Sequence, residues 1–186
     1  MNAVAPRRNL EIKARLASLE SARQIARRLA TDYLGFQTQT DTYFHARSGR
    51  LKLREIDGQP AVLIAYARPD VPGAKGSDYH LIPVADAAAL KHGLTAALGV
   101  AQIVRKRREI FLCENVRVHL DDVADLGTFL EFEAVILGDA DARRAPSQIA
   151  ALRERFGIRD ADLLAGSYAE MSTADAGRIA EAPPVH

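Results

Sequence analysis

The chain has one cysteine, Cys113, so no internal disulfide can form, which fits a reducing compartment. No apolar run approaches the roughly 20 residues of a membrane-spanning helix. Arg7 and Arg8 are followed by no apolar core of the signal-peptide kind, so the cytoplasm is the default location. Neither sign of charge dominates: 25 Lys+Arg against 24 Asp+Glu, a formal net charge of +1. That balance argues against a broadly basic coat for nucleic acid, though not against a local cluster of one sign. Repeats of fixed period and low-complexity blocks are also missing.

What is present is ordinary globular material. The 186 residues suit one domain, and 48% hydrophobic with 26% charged residues suffices for a real core. Ser172 to His186, with small residues and Pro183-Pro184, reads as a poorly ordered tail to a domain over residues 1–171.

Strand patterns dominate. In Asn9–Leu16, Leu10, Ile12, Ala14 and Leu16 alternate with Glu11, Lys13 and Arg15, as strand side chains do. Gln37–Phe44, Arg50–Glu55, Pro60–Arg68, Asp78–Val84, Ala101–Phe111, Val116–Asp121 and Thr128–Leu137 bring the strands to eight, with Asp57-Gly58 as a hairpin turn. Helical spacing runs through Ser18, Ala22, Ile25, Ala26, Leu29 and Tyr33 to Gly35, and again through Ala85–Leu98 and Pro146–Phe156. Asp160–Leu164 makes a short fourth helix. The expected fold class is α+β, an antiparallel sheet long enough to close into a barrel.

The charges on the strands carry the chemical signal. Glu11 and Lys13, Lys52 and Arg54, Lys106 and Arg108, and Glu131 and Glu133 each stand at i, i+2 on one strand face. A strand normally turns its polar face to water, and that is the plain reading of any one of them. Taken together, inward faces would line a charged channel, with apolar faces outward under the helices. Lys13, Lys52, Arg54, Arg68, Lys106 and Arg108 would concentrate cations that repel one another unless a highly charged anion binds; a triphosphate chain suits that. Glu11, Glu131, Glu133 and Asp121 would offer oxygens to Mg²⁺ or Mn²⁺, or merely neutralise the cations beside them.

The segments that carry these residues resemble, in order, the CYTH proteins, also called triphosphate tunnel metalloenzymes. They are R-N-L-E-I-K-A (Arg8 to Ala14), Q-T-D-T-Y-F (Gln39 to Phe44) and G-R-L-K-L-R-E (Gly49 to Glu55). Y-A-R-P-D (Tyr66 to Asp70), K-G-S-D-Y (Lys75 to Tyr79) and V-R-K-R-R (Val104 to Arg108) follow. L-D-D-V-A-D-L-G-T-F-L-E-F-E (Leu120 to Glu133) and S-Y-A-E-M (Ser167 to Met171) complete the series.

The resemblance implies a closed eight-stranded antiparallel barrel with helices outside and a triphosphate in its tunnel. It implies Glu11, Glu131 and Glu133 as ligands of Mg²⁺ or Mn²⁺, and Lys13, Lys52, Arg54, Arg68, Lys106 and Arg108 as phosphate contacts. Asp121 takes a metal- or water-positioning role, Lys75 a substrate contact, and Lys13, Glu131, Glu133 and Asp121 the catalytic roles. One departure stands out: the family's E-x-E-x-K begins here with Asn9, which offers an oxygen but no charge, as in cyclase-like members that begin R-N-x-E-x-K. The implied activity is ATP binding and conversion to cyclic AMP and pyrophosphate, as in class IV adenylate cyclases. The alternatives are hydrolysis of inorganic, nucleoside or thiamine triphosphate, and non-catalytic polyphosphate or nucleotide binding. The implied partner is a small-molecule triphosphate, with neither nucleic acid nor membrane, and a homodimer stays open.

His45 and His119 titrate near neutrality when unperturbed, but a strand histidine is more often structural. Cys113 has no nucleophile pattern around it, and Gly73 and Gly76 lack P-loop spacing.

Overall fold

The computed structural model describes residues 6–171; the tail expected over Ser172 to His186 lies outside them. Eight strands appear: β1 (Arg7–Arg15), β2 (Asp32–Phe44), β3 (Arg50–Ile56), β4 (Ala61–Ala67), β5 (Lys75–Val84), β6 (Val100–Cys113), β7 (Val116–Val123) and β8 (Gly127–Ile136). They close into a barrel in the order β1-β5-β4-β3-β2-β6-β7-β8, every neighbouring pair antiparallel. The α+β class and the closed eight-stranded barrel are as expected. Helices α1 (Leu19–Leu29), α2 (Ala87–Leu98) and α3 (Asp139–Arg155) lie outside. Among the described residues, no helix is long and apolar enough to cross a membrane.

The apolar strand faces do point outward, and the helices cover them. Ile12 of β1, Val116, Val118 and Leu120 of β7, and Leu130, Phe132 and Ala134 of β8 pack against Ala22 and Ala26 of α1 and Ala145, Ile149 and Leu152 of α3. A smaller cluster sets Phe44 and Leu53 under Ala87, Leu90 and Leu94 of α2. This arrangement inverts a small barrel, whose apolar side chains fill the interior. Here the core is the shell between barrel and helices, which frees the interior for polar side chains.

Three of the expected helices differ from the structure. Helix α1 starts at its Ser18 cap, whose hydroxyl accepts from the Ser21 N–H at 3.2 Å, but it stops at Leu29. Tyr33 and Gly35 belong to β2, because the β6 ladder captures the backbone from Asp32 onward. The Tyr33 ring packs 4.9 Å from that of Phe111, a tertiary contact that overrides helical spacing. Helix α3 begins at Asp139, not Pro146; its polar first half (DADARRA) has no apolar periodicity to announce it, and Pro146 lies inside the helix. The helix is held there by Ala145 and Ile149, both buried. The expected helix over Asp160–Leu164 is a single 3₁₀ turn, Asp160–Asp162, after which Leu163 bridges to Ala14 of β1. Strand β5 starts at Lys75, ahead of the expected Asp78, so Gly76 sits in the β1 ladder opposite Leu10.

Candidate functional site

The ladder registers arrange the inward side chains of neighbouring strands in tiers along the barrel. The deepest tier contains Lys13, Tyr43, Arg68 and Lys75. Above it come Glu11, Asp41, Lys52, Lys106, Asp121 and Glu131, and then Asn9, Gln39, Arg54, Arg108, His119 and Glu133. The last tier, at the open mouth, holds Arg7, Gln37, Ile56, Leu81, Ile110 and Arg117. All of these but Asp41, Lys75 and Asp121 line a cavity of about 370 Å³, together with Ile64, Tyr66, Ser77 and Tyr79.

The deep end is closed by the segment after α3. The Leu164 N–H donates to the Lys13 carbonyl at 2.9 Å, and Tyr168 packs with Tyr43, Val104, Val123 and Phe129. Lys13 Nζ stands 3.9 Å from the centre of the Tyr168 ring, and the Tyr168 hydroxyl donates to Asp121 at 2.8 Å. Arg50 ties Glu170 and Asp70 together at the rim.

All six expected phosphate contacts pair with acids of the barrel. Asp41, 1% exposed, accepts two hydrogen bonds of 2.7 Å from Arg54, one of 3.0 Å from Lys52 and one of 3.3 Å from Lys106. Burial pushes its carboxyl up, yet Arg54, Lys106 and Lys52 hold it well below the usual carboxylate range. Lys106 is the counterpart: burial and the nearby Arg108 and Arg54 push its ammonium well down against the pull of Asp41. Arg108 forks onto Asp121 with two bonds of 2.6 Å and reaches Glu131 at 3.3 Å; Lys13 also binds Glu131. Arg68 pairs with Glu11. Thus one carboxylate, Asp41, answers Lys52, Arg54 and Lys106, and all three line the cavity.

Asp41 was passed over in the sequence reading. The signal was there: Gln39, Asp41 and Tyr43 alternate on β2 as Lys52 and Arg54 do on β3, and all line one face. Tyr168 was likewise quoted only as part of a closing motif.

Lys75 is not brought to the cavity. Its ammonium donates to the carbonyls of Val71, Leu164 and Ala165 at 3.3, 2.9 and 2.7 Å, fastening the closing segment to the start of β5. Burial and Arg68 lower its pKa to about 8. Asp121 is fully buried beneath Arg108 and Tyr168 and does not line the cavity either.

The acids of the other wall are oxygen donors. Glu11 faces Glu133 across the β1–β8 ladder, with Lys13 facing Glu131 beside them. Burial, and then the charge of Glu131, push the Glu11 carboxyl up. Asn9 donates to Glu133 at 2.7 Å through Nδ2, while its buried Oδ1 has no partner. A carboxylate pressed toward protonation beside two more, with a spare amide oxygen, matches in kind the oxygen set of a divalent cation. Among the described residues the carboxylates do not gather as a metal cluster in this arrangement, each being drawn to Arg68, Lys13, Arg108 or Arg117. His119 lies buried between Glu131 and Glu133, at 3.6 and 3.9 Å, and burial with Arg108 lowers its pKa. Cys113 is buried outside the barrel, where burial raises its thiol pKa.

The CYTH domain family model matches residues 7–168. The chain belongs to the CYTH family. Among its relatives, the Methanocaldococcus jannaschii protein named "Putative adenylate cyclase MJ0240" is 23% identical over 172 residues, 87% of this chain and 97% of its own. The CYTH fold recurs in the solved structure of the PH1012 protein of Pyrococcus horikoshii OT3. That match has a TM-score of 0.72 at 22% identity, over 87% of this chain and 98% of the other. A cyclase-named protein of Hippeastrum, described as having a dominant triphosphatase activity, matches at a TM-score of 0.60 and 15% identity, over 91% of this chain and 96% of its own.

Proposed function

We propose that the protein is a metal-dependent enzyme acting on a triphosphate held in its barrel, in the manner of a class IV adenylate cyclase: ATP is converted to cyclic AMP and pyrophosphate. The observation that carries this reading is the unequal pairing at Asp41, where Lys52, Arg54 and Lys106 share one buried carboxylate. A polyanion entering the cavity satisfies these cations and brings its own charge into a site built to neutralise it.

Lys13, Lys52, Arg54, Arg68, Lys106 and Arg108 hold the phosphate oxygens. Arg54 and Arg108 are held in plane by two-pronged carboxylate contacts, so they present their remaining N–H groups in a defined direction. Asp121 positions Arg108 and Tyr168 without touching substrate. Glu11, Glu131 and Glu133, with the Asn9 amide oxygen, hold Mg²⁺ or Mn²⁺. When bound, such a cation draws charge from phosphate oxygens and acidifies a hydroxyl beside it. In the cyclising reaction the ribose 3′-hydroxyl attacks the α-phosphorus, and the negative charge gathering on the departing pyrophosphate falls among the cations of the deep tiers.

The second reading is hydrolysis at the γ-phosphorus, favoured by the activity described for the Hippeastrum neighbour. The test is incubation of the full-length protein with Mg²⁺ or Mn²⁺ and ATP, inorganic triphosphate or thiamine triphosphate, followed by product separation. Cyclic AMP with pyrophosphate supports the cyclase. Orthophosphate without cyclic nucleotide replaces it by the phosphohydrolase. Tight binding with no product under either metal reduces the site to a nucleotide-binding module.

A further inference from the structure

Two buried polar atoms beside the acids have no partner, and they stand on opposite sides of one strand. Asn9 of β1 and His119 of β7 flank Glu131 and Glu133 of β8, and all four residues line the cavity. Asn9 is 5% exposed and His119 3%. Asn9 Oδ1 and His119 Nδ1 are each buried without a hydrogen bond. Turning the Asn9 amide over does not help, because the Glu133 carboxylate accepts from Nδ2 at 2.7 Å and only an N–H can donate to it.

His119 lies directly across the β7–β8 ladder from Glu131. Both hydrogen bonds that Glu131 accepts from Lys13 and Arg108 fall on Oε2. Its Oε1 faces His119 Nδ1 at 3.6 Å, and His119 Nε2 is 3.9 Å from Glu133 Oε2. A histidine placed to pair with a carboxylate closes to about 3 Å. His119 stops short of two carboxylates at once. Adjacent ligands of an octahedral ion also stand about 3 Å apart, so Nδ1 and Oε1 can share one ion after a small rotation.

A buried nitrogen left unpaired keeps its desolvation penalty, and a native fold that retains one has something else to satisfy it. A water molecule would satisfy the nitrogen alone. The surroundings favour a cation: the Glu131 and Glu133 carboxylates border the ring, and the Asn9 amide oxygen is spare on the far side of β8. Each of those oxygens offers a lone pair, which is what a divalent cation takes.

The ligands named so far, Glu11, Glu131, Glu133 and the Asn9 amide, present only oxygens and suit Mg²⁺ and Mn²⁺ alike. A nitrogen does not. Mg²⁺ is held by oxygens and gives up water reluctantly, whereas first-row transition ions take imidazole more readily. We propose that His119 is a nitrogen ligand of the divalent cation, bound through Nδ1 beside Glu131, and that it makes the site select Mn²⁺ over Mg²⁺. This role rests on the metal-dependent reading above and adds to it a ligand and a choice of ion. Neither Asn9 nor a neutral imidazole brings charge, so the preference comes from the kind of donor atom and not from net charge.

The test uses the full-length protein at pH ~8, where an ordinary imidazole is neutral. Bound Mn²⁺ is read by electron spin echo envelope modulation, which detects a nitrogen nucleus coordinated to the ion. Among the described residues His119 is the one histidine that lines the cavity, so the signal has one source. The wild type is expected to show the coupling of a coordinated imidazole, and His119→Gln to lose it. Calorimetric Kd values for the two ions give the second measure. His119→Gln is expected to weaken Mn²⁺ by at least about tenfold and Mg²⁺ by less than about twofold. Should the variant fail to fold, the wild-type spectrum decides alone. Bound Mn²⁺ without nitrogen coupling overturns His119 as a ligand, and equal losses for the two ions overturn the selection; both leave the metal-dependent reading standing. Wild-type protein that binds neither ion, with or without inorganic triphosphate, overturns that reading as well.

Discussion

Asp41 accepts both prongs of Arg54 at 2.7 Å inside the barrel, and the same carboxylate also takes Lys52 and Lys106. Removing its charge strands three cations in a buried place. Asp41→Asn is expected to cost the free protein about 3–5 kcal/mol, the usual penalty for an uncompensated buried charge. Inorganic triphosphate restores part of that deficit, because it supplies the missing negative charge. Thermal denaturation with and without the anion checks both: the ligand-induced rise in Tm should be larger in the variant than in the wild type. A smaller rise would mean that the cations are not a phosphate site.

Lys75 separates a fastening role from a substrate role. Its three backbone acceptors belong to the loop before β5 and to the closing segment. Lys75→Met leaves those carbonyls without a donor and is expected to destabilise the protein by about 3 kcal/mol. Hydrogen exchange should quicken in residues 163–171, while triphosphate affinity falls far less than in Arg54→Ala. A large affinity loss with unchanged exchange would return Lys75 to the substrate.

Why some of this was legible follows from where the information sits. Charges at i, i+2 on β1, β3, β6 and β8 report a polar face locally, and closure of the barrel turns that face inward. The start of β2 was hidden because Ala22, Ile25, Ala26, Leu29 and Tyr33 keep helical spacing, and only pairing with Phe111 on a distant strand breaks it. The first half of α3 was hidden because Asp139 to Arg144 have no apolar stripe. Lys75 shows a further limit: alternation places it on the inner face with Ser77 and Tyr79, but where a long flexible ammonium ends is decided by carbonyls ninety residues away. Asp41 was a lone acid among Gln and Thr, and its importance lies in the three cations that register brings to it.

Acid sensitivity follows from the paired carboxylates. Asp41, Asp121, Glu131 and Glu133 all have lowered pKa values in the fold, because their cationic neighbours outweigh burial. A lowered carboxyl pKa stabilises the fold above the unfolded value of about 4 and is lost as pH falls through the folded value. Stability from these groups should therefore hold from pH ~7 to ~5 and decline progressively below pH ~4. Melting curves across that range check this, and Asp41→Asn should show a shallower acid limb. An equally steep limb would remove Asp41 from the set.

Glu11 has the opposite sign. Burial and the charge of Glu131 raise its pKa despite Arg68, so its ionised form is disfavoured in the fold. A raised carboxyl pKa costs stability above the folded value, and protonation on acidification relieves it. Glu11→Gln imposes the neutral state at every pH. The metal-free variant is therefore expected to melt at or slightly above the wild-type temperature near pH 7. In Mn²⁺ titrations followed by electron spin resonance, the same variant should bind the ion at least about tenfold more weakly, since a charged oxygen ligand is gone. A variant that loses stability without the metal and keeps its Mn²⁺ affinity would assign Glu11 to Arg68 alone and take it out of the cation site.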